Sequence, residues 1–495
     1  MRLLFIDIDT LRPDHLGCYG YERNTSPNID LIAEESMRFD NYYCSDAPCL
    51  PSRAALVTGQ FGIHNGVVGH GGTAADLRLL GPERRMADQR MEEGLFWRLR
   101  KAGFYTASFS SFSERHSAYW FYAGLNEVHN VGKKGNERAD EVMDGVQKWL
   151  EEYSEKDNWF LHVHLWDPHT PYRTPEDLNQ LFEKDPMPEW LTKEVINQHL
   201  KHVGPHSLNE LNGFESALPE HWKEFTGHPG SATTYPEVKH LMDLYDCGVF
   251  YADQAIGKMT DILKKNGIYE DTAIIITSDH GETMGELGVY AEHGTCDELT
   301  CHIPMLIKWP GMKTGVDKEL RYQIDFLPTI AELFQQKKSD LWDGNSYAPV
   351  LLGKEKKGYE YLVMTQCAHV CQRAVRFGNY LYIRTYHDGM HEFPREMLFD
   401  LEEDPHEQVN LAEKKILETA QGARYLSIWE QDQMKKSPLD VDPLWTVMRE
   451  KGPFHTWKCD GVRYSQRLAD TGREEGAVSL RKRHPELFCR RDESK

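Results

Sequence analysis

"RLLFIDID", residues 2–9, is an apolar run closed by two acids, and its reading decides the fold. A run with no polar alternation predicts a strand buried on both faces, the condition of strands inside a parallel sheet. The same signature returns in "NWFLHVHLW" (158–166) and "TAIIITSDHGE" (272–282). Between these strands lie amphipathic stretches. "GYERNTSPNIDLIAEES" (20–36) carries a Thr25/Ser26 cap before Pro27, and "ADEVMDGVQKWLEEYSE" (139–155) is helical throughout. The longest, residues 235–267, spaces its apolar side chains at helical intervals and closes on Asn266 and Gly267. Strands alternating with helices predict an α/β fold, a mostly parallel central sheet flanked by helices. Ligands in such folds bind beyond the carboxyl ends of the strands.

Other stretches fill in the frame. "MRFDNYYC" (37–44) reads as a strand leading towards Cys49. Residues 173–235 are polar, rich in Pro, Gly and His, and weakly periodic; a loop of that length is usually functional or partly disordered. Beyond residue 350 the texture turns to short strands and tight turns, as in "EYLVMTQ" (360–366) and "QRAVRFGNYLYIRTY" (372–386). The division expected is a catalytic α/β domain over 1–350 and a smaller C-terminal α+β domain over 351–495.

Composition narrows the partners. The 495 residues suffice for two domains with sizeable cores. Lys and Arg number 57 against 78 Asp and Glu, a net charge of −21, which argues against nucleic acid and anionic membrane as partners. An anionic substrate would need positive charge gathered locally. Only Leu3 to Ile6 precede Asp7, too short a run for a signal peptide, and no transmembrane run occurs elsewhere. The expectation is a cytoplasmic protein. Its ten cysteines form no CxxC pair, so most are expected to be reduced thiols in or near the core.

Polar residues at the strand ends carry the chemistry. Asp9, His169, Asp279 and His280 all fall just past predicted strands, so distant segments converge on one crest. Asp9, Asp279 and His280 offer two carboxylates and an imidazole, a start for a divalent cation site that Thr10 could complete. Asp7 shares a sheet face with Asp9 but lies deeper, as a supporting residue. "SDAPCLPSRAALVTGQ" (45–60) puts Cys49 at a helix start. The residues alone leave open a lowered-pKa nucleophile, a disulfide half, a metal ligand or packing.

Six segments resemble, in order, the signatures of the type I, formylglycine-dependent sulfatases of the alkaline phosphatase-like superfamily. They are "FIDIDTLRPDHLGCYG" (5–20), "CLPSRAALVTG" (49–59), "DPHTPY" (167–172), "TSDHGE" (277–282), "AEHGT" (291–295) and "HIPMLIKWPG" (302–311). The resemblance runs through roughly residues 3–345 and continues weakly in "MLFDLEEDPHEQVNL" (397–411). It implies that a formylglycine-generating enzyme oxidises Cys49 to an aldehyde, with Pro51, Ser52 and Arg53 in its recognition signal. The aldehyde hydrate has two hydroxyls on one carbon. One, acidified by the cation, would attack sulfur in line and expel the alcohol. The other would lose its proton and eject sulfate, regenerating the aldehyde.

The resemblance also implies roles for other residues. Cys49 would join Asp9, Thr10, Asp279 and His280 around one divalent cation. Calcium is favoured by the oxygen-rich set, with magnesium or manganese also compatible. Arg53 would stabilise the diol, and His169 would contact sulfate and protonate the leaving oxygen. His293 stands where many members carry lysine, so the charge there would depend on pH. Ser111 and Ser113 stand near the usual Lys-x-His element, leaving Arg115 and His116 to supply charge. His64 and His70, on the glycine-rich stretch 62–72, are further candidates for substrate contact. Trp120, Phe121 and Tyr122, like Lys258 and Lys308, read as structural. The activity implied is hydrolysis of sulfate esters, on sulfated carbohydrate such as short glycosaminoglycan fragments. The alternatives are a phosphonate monoester or phosphodiester hydrolase, or an anionic-glycan binder if Cys49 stays a thiol.

Overall fold

A computed structural model describes residues 1–78, 89–222, 225 and 227–488. Its core is an eight-stranded sheet in the order 315–317, 37–39, 305–308, 272–277, 2–8, 159–165, 105–109, 127–129. All neighbours are parallel except Met305–Lys308, which runs against the strands on both sides. The expected α/β architecture is therefore present. Arg2–Ile8 lies centrally, buried from Leu3 to Ile8, as an unalternating apolar run requires.

Alternate residues of that strand face different layers. Leu4, Ile6 and Ile8 enter a core with the helices Pro27–Glu34, Ala139–Tyr153 and Tyr235–Lys265. Leu3 and Phe5 enter the opposite core, against the helices Cys49–Thr58, Leu95–Lys101 and Phe326–Leu333. The long helix ends as its sequence predicts, with Gly267 at φ +68 after Asn266. The Ser26 cap differs from expectation. Its hydroxyl donates to Asp30 Oδ1 at 3.0 Å and accepts the Gly17 N–H at 2.9 Å, while Pro27 at the first helical position has no N–H to cap. "MRFDNYYC" divides into two short strands, Met37–Phe39 and Tyr42–Tyr43.

The C-terminal domain has its own sheet: Tyr361–Gln366, Cys371–Phe377, Tyr380–His387 and Glu396–Asp400 form an antiparallel meander. A fifth strand comes from far upstream. Asp46–Ala47 pairs in parallel with Thr365–Gln366, immediately before Cys49. The helix Ile416–Lys436 packs on this sheet, and the meander shares one hydrophobic core with Leu50 and Ala54. Nine cysteines are free thiols, all buried except the half-buried Cys18; Cys489 lies outside the described residues. Among the described residues no helix is long and apolar enough to cross a membrane.

Candidate active site

The strand alternation that sends Leu3 and Phe5 towards the helix Cys49–Thr58 also sends Asp7 and Asp9 there. Arg53, one turn beyond Cys49, meets them. Its Nε lies 2.9 Å from Asp7 Oδ2 and its Nη1 3.0 Å from Asp9 Oδ2. Nη1 also reaches Asp279, and Nη2 donates to His164 Nε2 at 2.7 Å. Burial by itself would raise the Asp7 and Asp9 carboxyls, but the Arg53 guanidinium prevails and holds both well below the usual carboxylate range. Ser52 also ties the helix to the crest, its hydroxyl donating to the Asp279 carbonyl at 2.6 Å.

Cys49 lies at the first position of that helix, buried, with Sγ 3.1 Å from His280 Nε2. His280 Nδ1 faces the Gly281 carbonyl at 2.8 Å, so it carries a proton and leaves Nε2 towards the crest. There Nε2 stands 3.2 Å from Asp279 Oδ2 and 3.9 Å from Asp9 Oδ1. Ligand atoms of Asp9, Cys49, Asp279 and His280 all lie within 4.8 Å of one another. Two further oxygens, Asp9 Oδ1 and Thr10 Oγ1, are buried without a hydrogen-bond partner. Orphaned oxygens beside carboxylates and an imidazole are what a divalent cation would satisfy, so the donor set fits one.

Above the crest is a cavity of about 750 Å³ whose lining includes Cys49, His70, Arg115, His116, His169 and His293. His64 is elsewhere. Its Nδ1 bonds Asp343 at 2.8 Å and its Nε2 the Gln433 carbonyl at 2.9 Å, which commits the ring to the packing of the helix Ile416–Lys436. Ser111 donates to Glu137, while Ser113 Oγ is buried without a partner. Arg115 and His116 face the cavity in their stead, with the Arg115 guanidinium 5.0 Å from the Trp166 ring centre. Phe121 is core, Tyr122 donates to Glu114, and Lys308 donates to the Tyr269 carbonyl at 3.1 Å.

The charges at His169 and His293 diverge. Burial pushes His169 well below the ordinary histidine range, although Asp9 pulls upward. Its Nδ1–H donates to the Thr170 carbonyl at 2.5 Å. Burial also pulls His293 down, but Glu292 and then bonds to the Cys49 thiol and Glu282 raise it to about 10. Nδ1 of His293 hydrogen-bonds Glu282 Oε2 at 3.2 Å, and Nε2 lies at ion-pair distance, 3.2 Å, from Glu292 Oε1. The pH-dependent charge expected there is thereby pushed towards more alkaline pH.

Sequence reasoning missed several residues that build the site. His162 and His164 alternate within an apolar strand, on the face of Asp7 and Asp9, and that period of two was a readable signal. Arg173 stands only four residues after His169, but no motif marked it. Fully buried, it donates to the carbonyls of Trp166, His169 and Thr170 at 2.9, 2.7 and 3.1 Å, clamping the turn that presents His169. The cavity's far wall comes from the polar segment 205–222 and from Phe454–Lys458, far apart in sequence.

Known proteins resemble this chain in sequence and in fold. The family model described as Sulfatase matches residues 2–336, and that described as N-sulphoglucosamine sulphohydrolase, C-terminal, matches residues 285–430. A choline-sulfatase of Rhizobium meliloti is 27% identical over 426 residues, covering 78% of each chain. An N-acetylglucosamine-6-O-sulfatase of Bacteroides thetaiotaomicron is 23% identical over 500 residues, 90% of this chain and 88% of that one. The crystal structure of a phosphonate monoester hydrolase of Agrobacterium radiobacter superposes with a TM-score of 0.67 at 19% identity, over 87% of this chain and 96% of the other.

Proposed function

This chain belongs to the sulfatase family of sulfuric ester hydrolases, and we propose that it removes sulfate from short sulfated carbohydrates, with residue 49 acting as formylglycine. The observation that carries the reading is the position of Cys49. Its side chain meets the Asp9–Asp279–His280 ligand set at the floor of a cavity large enough for a small saccharide, walled partly by cations.

A divalent cation held by Asp9, Asp279, His280 and residue 49, with Thr10 beside them, would acidify a residue-49 hydroxyl and offset the charge of the sulfate oxygens. Arg53 pairs with Asp9 and Asp279 and fixes both side chains, so the ligand set is formed before substrate arrives. His293, its pKa raised beside two carboxylates, would sit where a sulfate oxygen gathers charge. His169 has Nδ1–H committed to Thr170, so only Nε2 can exchange a proton with the cavity. The negative ester favours its imidazolium form, which would hand that proton to the departing alkoxide as the S–O bond breaks. The hydroxyl left on residue 49 then loses its proton, the carbonyl reforms, and sulfate leaves. Arg115 and Lys458, both lining the cavity, are placed for a carboxylate or second sulfate on the sugar.

Two measurements test this. Mass spectrometry of the peptide spanning Cys49, after expression beside a formylglycine-generating enzyme, should show thiol converted to aldehyde in active protein. Full activity in protein carrying only the thiol would refute the mechanism. A screen of defined sulfated disaccharides and longer chains, with phosphonate monoesters and phosphodiesters as controls, should give the highest kcat/KM on the small sulfate esters. Preference for the phosphorus esters would reassign the reaction. Binding of sulfated sugars without turnover by aldehyde-bearing protein would leave only a binding role.

A further inference from the structure

A second set of ligand atoms lies in the cavity wall, beside His293. His206 comes from the polar insert, Glu292 from the end of the short strand Tyr290–Glu292 just before His293, and His369 from the turn before the strand Cys371–Phe377. All three line the cavity, and their ligand atoms lie within 4.8 Å of one another. His206 Nε2 is 3.1 Å from Glu292 Oε2, and His369 Nε2 is 3.6 Å from Glu292 Oε1. Two ligand atoms each ~2.0–2.1 Å from one tetrahedral ion stand about 3.3–3.4 Å apart, near the His206 spacing, while the His369 spacing is measured to the other carboxylate oxygen.

The orientation of the rings matters as much as the spacing. His206 Nδ1 faces the Leu211 carbonyl at 3.1 Å, and a carbonyl can only accept, so Nδ1 bears the hydrogen. In the neutral ring Nε2 then carries the lone pair, close to a carboxylate oxygen. Two acceptors only 3.1 Å apart call for a positive charge beside them: a proton on Nε2, or a metal ion. Backbone anchoring of the far nitrogen is how ligating histidines are held. The other partners are also fixed. His369 lies face to face with His455, ring centres 3.9 Å apart and planes 8° from parallel. Glu292 Oε1 accepts the His293 backbone N–H at 3.0 Å, which leaves Oε2 for His206.

We propose that His206, Glu292 and His369 form a second metal site, selective for a divalent ion of the zinc class, with its fourth position open to the cavity. Two imidazoles and one carboxylate suit a borderline transition ion, whereas calcium and magnesium seek shells of oxygen. The crest and the wall would therefore sort ions by ligand chemistry. An anionic oxygen of a molecule in the cavity would complete the zinc shell. This assignment does not rest on the reaction proposed above.

The test is zinc titration by calorimetry of chelator-stripped protein carrying Cys49→Ala and Asp279→Asn, which disable the crest. One zinc per chain is expected. Adding His206→Ala, His369→Ala or Glu292→Gln should weaken it at least ten-fold. No zinc binding, or binding unchanged by all three substitutions, would overturn the proposal. Zinc-soaked crystals of the unaltered protein give an answer independent of how the variants fold. An anomalous peak between the three side chains supports the site, and a peak at the crest alone refutes it.

Discussion

Gly248, in the middle of the helix Tyr235–Lys265, offers a sharp test of how the site is held. A methyl group built there would stand 2.7 Å from the Asp167 carbonyl oxygen and 2.9 Å from Pro168 Cα, both backbone atoms of the turn that presents His169. To regain ordinary contact the turn must retreat by about 0.7 Å, because ordinary separations begin at 3.4 Å. Gly→Ala inside a helix normally gains about 0.8–1 kcal/mol from propensity. Overpacking of a closed contact costs ~1–3 kcal/mol, so Gly248→Ala should lose between nothing and about 2 kcal/mol in stability. The activity effect should be larger. A 1 Å misplacement costs on the order of 10²-fold, so kcat should fall roughly 10–30-fold for a shift of this size. Steady-state turnover of a sulfated disaccharide beside a thermal melt checks both. Unchanged kcat with a raised Tm would mean that the turn does not depend on this contact, and the account of how His169 is positioned would fail.

Two more outcomes are expected. Asp279→Asn should lose the crest cation and turnover together, read by metal analysis and activity, and full activity of chelated, metal-free enzyme would rule that cation out. Asp167 is pushed up to about 7 by burial, only partly offset by the Ala139 N–H. A carboxyl raised in the folded state contributes stability that is complete below its unfolded value of 3.8 and is lost as pH rises through about 7. The melting temperature of Asp167→Asn relative to the parent should therefore climb between pH 4 and pH 7, and a pH-independent difference would contradict the shift.

The crest was legible because it is built from strand ends. An apolar run stopped by acids says where a parallel strand leaves the sheet, which placed Asp9, Asp279 and His280 together without any knowledge of their contacts. The departures at His293 and at Ser111 and Ser113 were legible as departures, but their resolution was not. Glu292 and Glu282 raise the pKa of His293, through an ion pair and a hydrogen bond that no spacing reveals. His64 misled because its glycine-rich surroundings looked like those of His70, whereas Asp343 draws its ring away. The wall formed by Phe454–Lys458 was beyond reach. Its place depends on the His455 N–H meeting the Ala368 carbonyl at 3.2 Å, a contact between segments more than eighty residues apart.

The short strand Asp46–Ala47 sets a clock. Its partner, Thr365–Gln366, is made more than three hundred residues later, and Cys49 follows the strand by two residues. Until that partner emerges, the segment entering the helix Cys49–Thr58 has no sheet to join. Synthesis at ~5–20 residues per second makes that interval roughly 15–60 s. Afterwards Cys49 is only 1% exposed. Any enzyme that oxidises this thiol thus works against the ribosome's pace, and slowing translation between residues 50 and 360 would lengthen its opportunity.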